Sequence, residues 1–408
     1  MNSKSQTAKN LLWQFVGQGG GKVSMFFFYI LLPAFIGASE YGKFAYALAV
    51  SSIVAQPIVE MGLDMVTVKW VSRGRIDVTK KVFIIRIIAT LIAFLILFTI
   101  SLFLKVDKKL LFVLFSYFVL MSFQNVIFSF FRGIEKMKFE GMIVPIQKLF
   151  ILMLLFVFAF WGFKNAFWGS IALLFSTFLG ILLLLFISRK QLREITVNRV
   201  EVNAPNYNDL IKEGVILGGV TFLWLIYFRI DSVMLGIMKD DIEVGIYNVA
   251  YKLMEGVFFI PGIMMLVFFP SLTKREKFNK IFGKLLLVLG GIGLGMSVMV
   301  YLFSSSLIRL IYGSEFFGSI AVLQILALAV FPVFLGHLAT QSLVALDLNR
   351  IYLLVAFIGM LLNISLNYLL IPRFGANGAA WATVATEMAV VLLCGYFVWR
   401  EKPNALNF

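Results

Sequence analysis

The sequence predicts an all-α polytopic membrane protein, with about twelve transmembrane helices in two pseudo-symmetric six-helix lobes. Three observations predict it. The 408 residues are 61% hydrophobic and only 14% charged, with a mean hydropathy of +0.95, where soluble chains average roughly 45–50% apolar and about 25% charged. The apolar residues fall into twelve segments, each near the ~20 residues a helix needs to cross the hydrocarbon core. The basic residues are distributed unequally between alternate loops.

In the first half the segments are Leu11–Gly37, Gly42–Gly62, Val82–Leu104, Leu110–Phe131, Met142–Trp161 and Ala166–Ile187. In the second half they are Gly214–Gly236, Val244–Pro270, Leu285–Phe303, Gly318–Ser342, Ile351–Ile371 and Asn377–Trp399. The run Val23 to Gly37 leads into Glu40 and Tyr41 without a small-residue cleavage site, so it is expected to stay as the first span rather than leave as a signal peptide. Pro33, Pro57, Pro145, Pro261 and Pro332 lie within spans, where each removes a helix hydrogen bond and is expected to permit a kink.

The loops are too short to form a soluble domain. The longest, Ser188 to Glu213, is polar and carries Pro205, which gives an N-terminal lobe of residues 1–187, a cytoplasmic linker of 188–213 and a C-terminal lobe of 214–408. With the N-terminus placed in the cytoplasm, 23 of the 36 Lys and Arg fall in inside segments, 8 in outside segments and 5 within spans. That bias sets both termini inside. It also accounts for the net charge of +15 without nucleic acid.

An internal repeat supports the two halves. Glu40-Tyr41-Gly42 through Ala47 resembles Glu243-Val244-Gly245 through Ala250 at an offset of 203, and Gly162 through Trp168 resembles Gly375 through Trp381 at an offset of 213. Both matches join corresponding spans. Each half has an even number of helices, so the halves face the same way, with a cavity expected at their interface.

The single cysteine, Cys394, can form neither an internal disulfide nor a zinc cage, and the single histidine, His337, anchors no metal or catalytic cluster. The informative residues are charges at membrane depth, each costing about 2.5–3.5 kcal/mol on insertion scales unless it is paired or hydrated. Lys22 follows Gly19-Gly20-Gly21 near the middle of the first span, either buried there or snorkelling to the surface. Arg229 and Asp231 are two apart on the seventh span and so point to different faces. Lys252 and Glu255, three apart, either pair with each other or meet a substrate, and Glu387 stands mid-span with no local partner. Arg86 and Lys148 are read as snorkelling cations. Glu60 and Asp64 close the second span, as gates or as solvated carboxylates, the latter favoured. Asn363 and Asn367 share a helix face and are expected as interhelical glue.

The stretch Phe228-Arg229-Ile230-Asp231-Ser232-Val233-Met234-Leu235-Gly236, followed by Glu243-Val244-Gly245-Ile246-Tyr247, resembles the seventh-to-eighth-helix signature of the polysaccharide-biosynthesis flippases. So do Asp347-Leu348-Asn349-Arg350 and the run from Asn363 through Pro372-Arg373-Phe374-Gly375 to Ala380, with Glu60-Met61-Gly62-Leu63 in the first half. The family is the Wzx-like O-antigen and capsule flippases, in the superfamily that includes the multidrug and toxin extruders (MATE) and the lipid II flippases.

The resemblance implies a MATE-like pair of lobes, alternating access and an undecaprenyl-diphosphate-linked oligosaccharide as cargo, carried across a bacterial inner membrane. It maps the family's cationic cavity onto Lys22, Arg229 and Lys252, with Asp231, Glu255, Glu387, Glu60 and Asp64 left for coupling or gating. It implies no cofactor beyond coupling protons or sodium. As partners it implies membrane lipids, a polysaccharide polymerase and chain-length proteins around a monomer, and no nucleic acid. Two alternatives stay open: a cation-coupled drug extruder of related fold, and a membrane-embedded oligosaccharide polymerase or ligase. The second is disfavoured because the longest outer loop, Ser304–Phe317, is short; no enzymatic activity is expected.

Overall fold

The computed structural model describes residues 3–197 and 205–402. Part of the expected linker, 198–204, therefore lies outside the described residues. What is described is helical, with no β-strand. The helices are α1 (Ser3–Ile36), α2 (Ala38–Ala55), α3 (Leu63–Ser72), α4 (Asp77–Phe103), α5 (Lys108–Gly133), α6 (Lys138–Phe160), α7 (Ala166–Val197), α8 (Tyr207–Met238), α9 (Asp241–Leu272), α10 (Arg275–Tyr312), α11 (Gly318–Ala345) and α12 (Asn349–Glu401).

Eleven helical stretches are long and apolar enough to cross a membrane. The last, α12, has 53 residues, or roughly 80 Å at about 1.5 Å per residue, far more than one crossing requires. It breaks at Gly375, whose φ of 56° and ψ of −133° are not helical. Its two limbs complete the twelve expected spans. The break follows from sequence: Pro372 lacks an N–H, Gly375 accepts a positive φ, and the freed amide of Ala376 donates to Glu243 Oε2 at 2.6 Å.

The second span is the other irregular one. After α2 the chain forms a π-helical segment, Gln56–Glu60, which contains Pro57. Met61 and Gly62 then take left-handed conformations, φ 46° and 66°, before α3 begins. Pro33, Pro145, Pro261 and Pro332 lie inside continuous helices.

The chain folds into two compact units, unit 1 of Met1–Ile36 and Lys43–Leu225, and unit 2 of Gly37–Gly42 and Ile226–Phe408. The division runs through α8. Its first turns belong to unit 1, where Leu210 is fully buried among Leu63, Val66, Val78 and Val82. Unit 1 is stitched by close helix crossings: a Cβ on Gly17 would stand 2.8 Å from Gly141 Cα, and one on Gly21 2.7 Å from Val144. Small residues let backbones approach where no hydrophobic force acts between helices in lipid. Gly17 and Gly21 thus serve packing, and α1 runs unbroken through its glycines.

In unit 2, α11 is the central helix, with Ser319 Oγ donating to Ile246 O at 2.8 Å and Ala327 O accepting from Ser297 Oγ at 2.7 Å. Gly42 and Gly245, matched glycines of the internal repeat, abut each other. A Cβ on Gly42 would fall 1.6 Å from Asp241 O, and one on Gly245 2.1 Å from Ala38 O.

Candidate functional site

Unit 2 holds two charged centres. The first is cationic. Lys252, buried in α9, is bonded to Glu255 one turn on, Nζ to Oε2 at 2.5 Å. Arg229 of α8 is close enough for its charge to act on both, and it has no hydrogen-bond or salt-bridge partner among the described residues. The set carries two positive charges against one negative.

The second centre is built on Asp231, 3% exposed. Tyr247 OH donates to its Oδ2 at 2.6 Å, Thr383 Oγ1 donates to the same oxygen at 3.2 Å, and Asn367 Nδ2 donates to Oδ1. Asn367 also donates to Asn363 Oδ1 at 3.0 Å, so the two asparagines tie the first limb of α12 to α8, as expected of interhelical glue. Among the described residues every donor to Asp231 is neutral, and the buried Asn367 Oδ1 has no partner. Glu387, on the second limb of α12, accepts from Tyr227 OH at 2.8 Å. Arg229 lies near the charges of Lys252 and Glu255, whereas Asp231 is held by Tyr247, Asn367 and Thr383, in keeping with their spacing.

Unit 1 carries a third centre, around Arg86. This residue is 0% exposed, which overturns the expectation that it snorkels. Its Nη2 donates to Asp64 Oδ1 at 2.7 Å, and its Nη1 donates to Ser122 Oγ at 2.8 Å and to the Ser122 carbonyl. Ser129 Oγ also donates to Asp64 Oδ1, at 3.2 Å. Asp64 is therefore no merely solvated carboxylate: it neutralises a buried guanidinium. Glu60, at the end of the π-helical segment, hydrogen-bonds Asn125. Arg132 of α5 is paired with Glu140 of α6, Nε to Oε2 at 2.7 Å and Nη2 to Oε1 at 2.5 Å.

Lys22 lies on the exposed face of α1 beside Val23, and Lys148 of α6 is half-buried beside the glycines of α1. Among the described residues no group of three or more His, Cys, Asp or Glu side chains could hold a metal ion. The structure thus joins Arg229, Lys252 and Glu255 in one centre, holds Asp231 and Glu387 in unit 2 by neutral donors, and puts Glu60 and Asp64 beside Arg86.

The geometry is that of a membrane protein that spends buried charge on selected positions, and comparison with known proteins gives its kinship. Residues 7–276 match the family described as polysaccharide biosynthesis protein. The chain belongs to that family. Among its relatives is a protein of Escherichia coli (strain K12) named for O-antigen transport, 21% identical, with the match covering 98% of each chain. Another is AglR of Haloferax volcanii, named as a flippase, 28% identical over 44% of this chain and 39% of AglR. The capsular polysaccharide biosynthesis protein CapF of Staphylococcus aureus is 26% identical over 42% of this chain and 45% of CapF. The matches to AglR and CapF thus span less than half of those relatives.

Two solved structures share the fold. The lipid II flippase MurJ in an inward closed conformation superimposes with a TM-score of 0.71 at 14% identity, over 95% of this chain and 87% of that one. An inward-facing MATE-family multidrug transporter gives 0.68 at 14% identity, over 91% and 93%. The all-helical, MATE-like class expected from sequence is the fold these structures share.

Sequence reasoning missed Tyr227, Tyr247 and Thr383 as partners of the buried acids, and missed the Arg86–Asp64 and Arg132–Glu140 pairs. A signal for Arg86 was available: it stands four residues inside an apolar run rather than at its edge.

Proposed function

We propose that this family member is a flippase that carries an undecaprenyl-diphosphate-linked oligosaccharide across a bacterial cytoplasmic membrane by alternating access, with both termini in the cytoplasm. The observation that carries the proposal is the excess of cation at Arg229, Lys252 and Glu255. A guanidinium inside a membrane-spanning helix with no anionic partner of its own is costly, and a diphosphate supplies the missing acceptor through charge-assisted hydrogen bonds. Lys22, on the open face of α1, is assigned to the same cargo. The lipid tail stays in the bilayer while the sugar passes, so no bond is made or broken and no catalytic residue is assigned.

Coupling to protons or sodium is assigned to unit 2 at Asp231. A buried carboxylate held only by neutral donors is cheapest with a cation beside it or a proton on it. The oxygen-rich donor set of Asp231, Asn363, Asn367 and Thr383, with one amide oxygen unpartnered, suits either. Glu255 and Glu387 are the remaining carboxylates of unit 2 for coupling or gating. A polysaccharide polymerase and chain-length proteins are the partners this role calls for.

The test is transbilayer movement of a labelled lipid-linked oligosaccharide in vesicles containing the purified protein. Arg229→Ala and Lys22→Ala are each expected to lower the rate at least about tenfold, the loss of one charge-assisted contact, with the protein still present in the membrane. Unchanged movement in both variants overturns the site. Export of a cationic dye in place of the oligosaccharide identifies a drug extruder instead.

A further inference from the structure

Lys105, Lys108 and Lys109 stand together at the turn between α4 and α5, and they are three of the eight bases assigned to outside segments. Basic residues are ordinarily kept on the cytoplasmic side, so a cluster here runs against the rule and calls for a local reason. All three lysines are exposed. The acid of the turn, Asp107, faces the backbone: it accepts from the amides of Lys109 and Leu110 at 2.9 and 3.2 Å. Three lysines against one aspartate leave the turn with a net charge of +2.

Beneath the lysines, Phe94 and Phe98 of α4 and Phe112, Phe115 and Leu120 of α5 line a groove of about 510 Å³. The Phe94 ring lies 5.6 Å from that of Phe112 and 6.2 Å from that of Phe115. Phe94 and Phe98 are 42% and 48% exposed, so the groove opens on the surface of unit 1. The two hydroxyls of its lining are occupied: Thr90 Oγ1 donates to Arg86 O at 2.7 Å and Ser116 Oγ to Phe112 O at 2.9 Å. The walls therefore suit hydrocarbon. From Phe112 to Leu120 the groove follows α5 for about 12 Å, close to the ~15 Å depth of one leaflet of the hydrocarbon core. Lys108 is one turn above Phe112 on the same helix face. Cations at headgroup level thus continue into an apolar channel one leaflet deep.

We propose that the α4–α5 groove is a binding site for an anionic phospholipid of the bilayer, with the lipid phosphate on Lys105, Lys108 and Lys109 and one acyl chain along Phe94, Phe98 and Phe112. A zwitterionic lipid fills the groove as well but brings its own cation to the lysines, so selectivity comes from charge. Occupancy follows concentration, which favours a bulk membrane lipid over a scarce lipid-linked one. The bound chain completes the packing between α4 and α5, where a gap forfeits dispersion contacts. That the lipid belongs to the outer leaflet rests on the orientation proposed above; the match of groove to lysines does not.

Native mass spectrometry of the full-length protein, equilibrated in detergent with equal amounts of phosphatidylglycerol and phosphatidylcholine of the same acyl chains, tests the site. The wild type is expected to retain phosphatidylglycerol in preference, and the preference to fall about fivefold with each of Lys105→Gln, Lys108→Gln and Lys109→Gln. Ser116→Phe fills the groove and leaves every lysine in place, so it is expected to remove one bound lipid of either kind with no change in charge. Equal retention of both lipids by the wild type, or a preference that survives in the triple lysine variant, overturns the proposal. A loss in the lysine variants with none in Ser116→Phe also overturns it, since the lysines then attract lipid without a groove site. Displacement of phosphatidylglycerol by undecaprenyl diphosphate at equal concentration assigns the groove to the carrier of the cargo instead. None of these readouts requires transport, so failure of the flippase reading leaves the result on the groove standing.

Discussion

Asp64 in unit 1 and Asp231 in unit 2 are both carboxylates at membrane depth, and their surroundings solve the same problem in opposite ways. Asp64 meets a guanidinium, Arg86, and a serine. Asp231 meets a phenol, an amide and a hydroxyl, all neutral. The first arrangement is closed, because the counter-charge is part of the protein and cannot leave. The second is open, because its stabilising charge must come from elsewhere and can go again. A carboxylate that neutral donors alone hold in a membrane is therefore the better candidate for a site that loads and unloads, and the paired one is the better candidate for a fixed support.

The largest effect separates the two at once. Removing Arg86 as Arg86→Met strands Asp64 without its counter-charge, and loss of one partner of a buried pair costs about 3–5 kcal/mol. Thermal unfolding in detergent is expected to show that loss, and Arg86→Met combined with Asp64→Asn is expected to recover most of it, since exchanging both members of a buried pair is often nearly neutral. A double variant no more stable than Arg86→Met breaks the comparison on the unit 1 side.

On the unit 2 side, Asp231→Ala leaves the donors of Tyr247, Asn367 and Thr383 without their acceptor, at about 1–3 kcal/mol for an unsatisfied buried group. Asp231→Asn keeps the size and one acceptor oxygen, so its stability is expected to stay within about 1 kcal/mol of the wild type while dependence of transport on a cation gradient disappears. Stability loss in Asp231→Asn as large as in Arg86→Met would make Asp231 a structural acid like Asp64. Smaller again is Tyr227→Phe, which takes the hydroxyl from Glu387; a hydrogen bond to a charged group contributes about 1.5–3 kcal/mol and to a neutral one about 0.5–1.5, so the measured loss reads out whether Glu387 carries a proton.

Much of this was legible in sequence, and the reason is periodicity and length. A span must be apolar for about 20 residues, so all twelve could be read, including the interruption between Ile371 and Asn377 where Gly375 turns the chain. The Lys252–Glu255 pair could be read as one of two alternatives because both residues sit on one helix face. The partners of Asp231 could not, because they come from positions 247, 367 and 383, brought together only by packing. Arg86 and Asp64 lie 22 residues apart on different helices, and no local pattern joins them. The prolines could be placed within spans, because a membrane helix can continue through a proline when neighbours satisfy the freed carbonyl, and Pro33, Pro145, Pro261 and Pro332 all lie inside helices.

The smallest effect concerns an acid outside the spans, and it sharpens the contrast by showing what a pair is worth near water. Glu213, in the first turns of α8, is bonded to Lys69, and Trp70 Nε1 donates to its Oε2 at 3.0 Å. Burial raises its pKa, but the bonds from Lys69 and Trp70 and the charges of Lys69 and Arg73 outweigh that and hold it below the ordinary glutamate value. A carboxylate depressed in the folded state stabilises fully above its unfolded pKa, about 4.3, and the contribution disappears as pH falls below that value through the folded one. Solvent screens this pair, so the contribution is expected at about 0.5 kcal/mol or less. Hydrogen exchange of the Tyr207–Glu213 amides is expected to speed up slightly on acidification below pH about 4 in the wild type, and to be pH-insensitive over that window in Glu213→Gln once the intrinsic rate is divided out. Equal acid response in both would mean that the start of α8 is held to unit 1 by Leu210 and the glycine contacts alone, with the ion pair adding nothing.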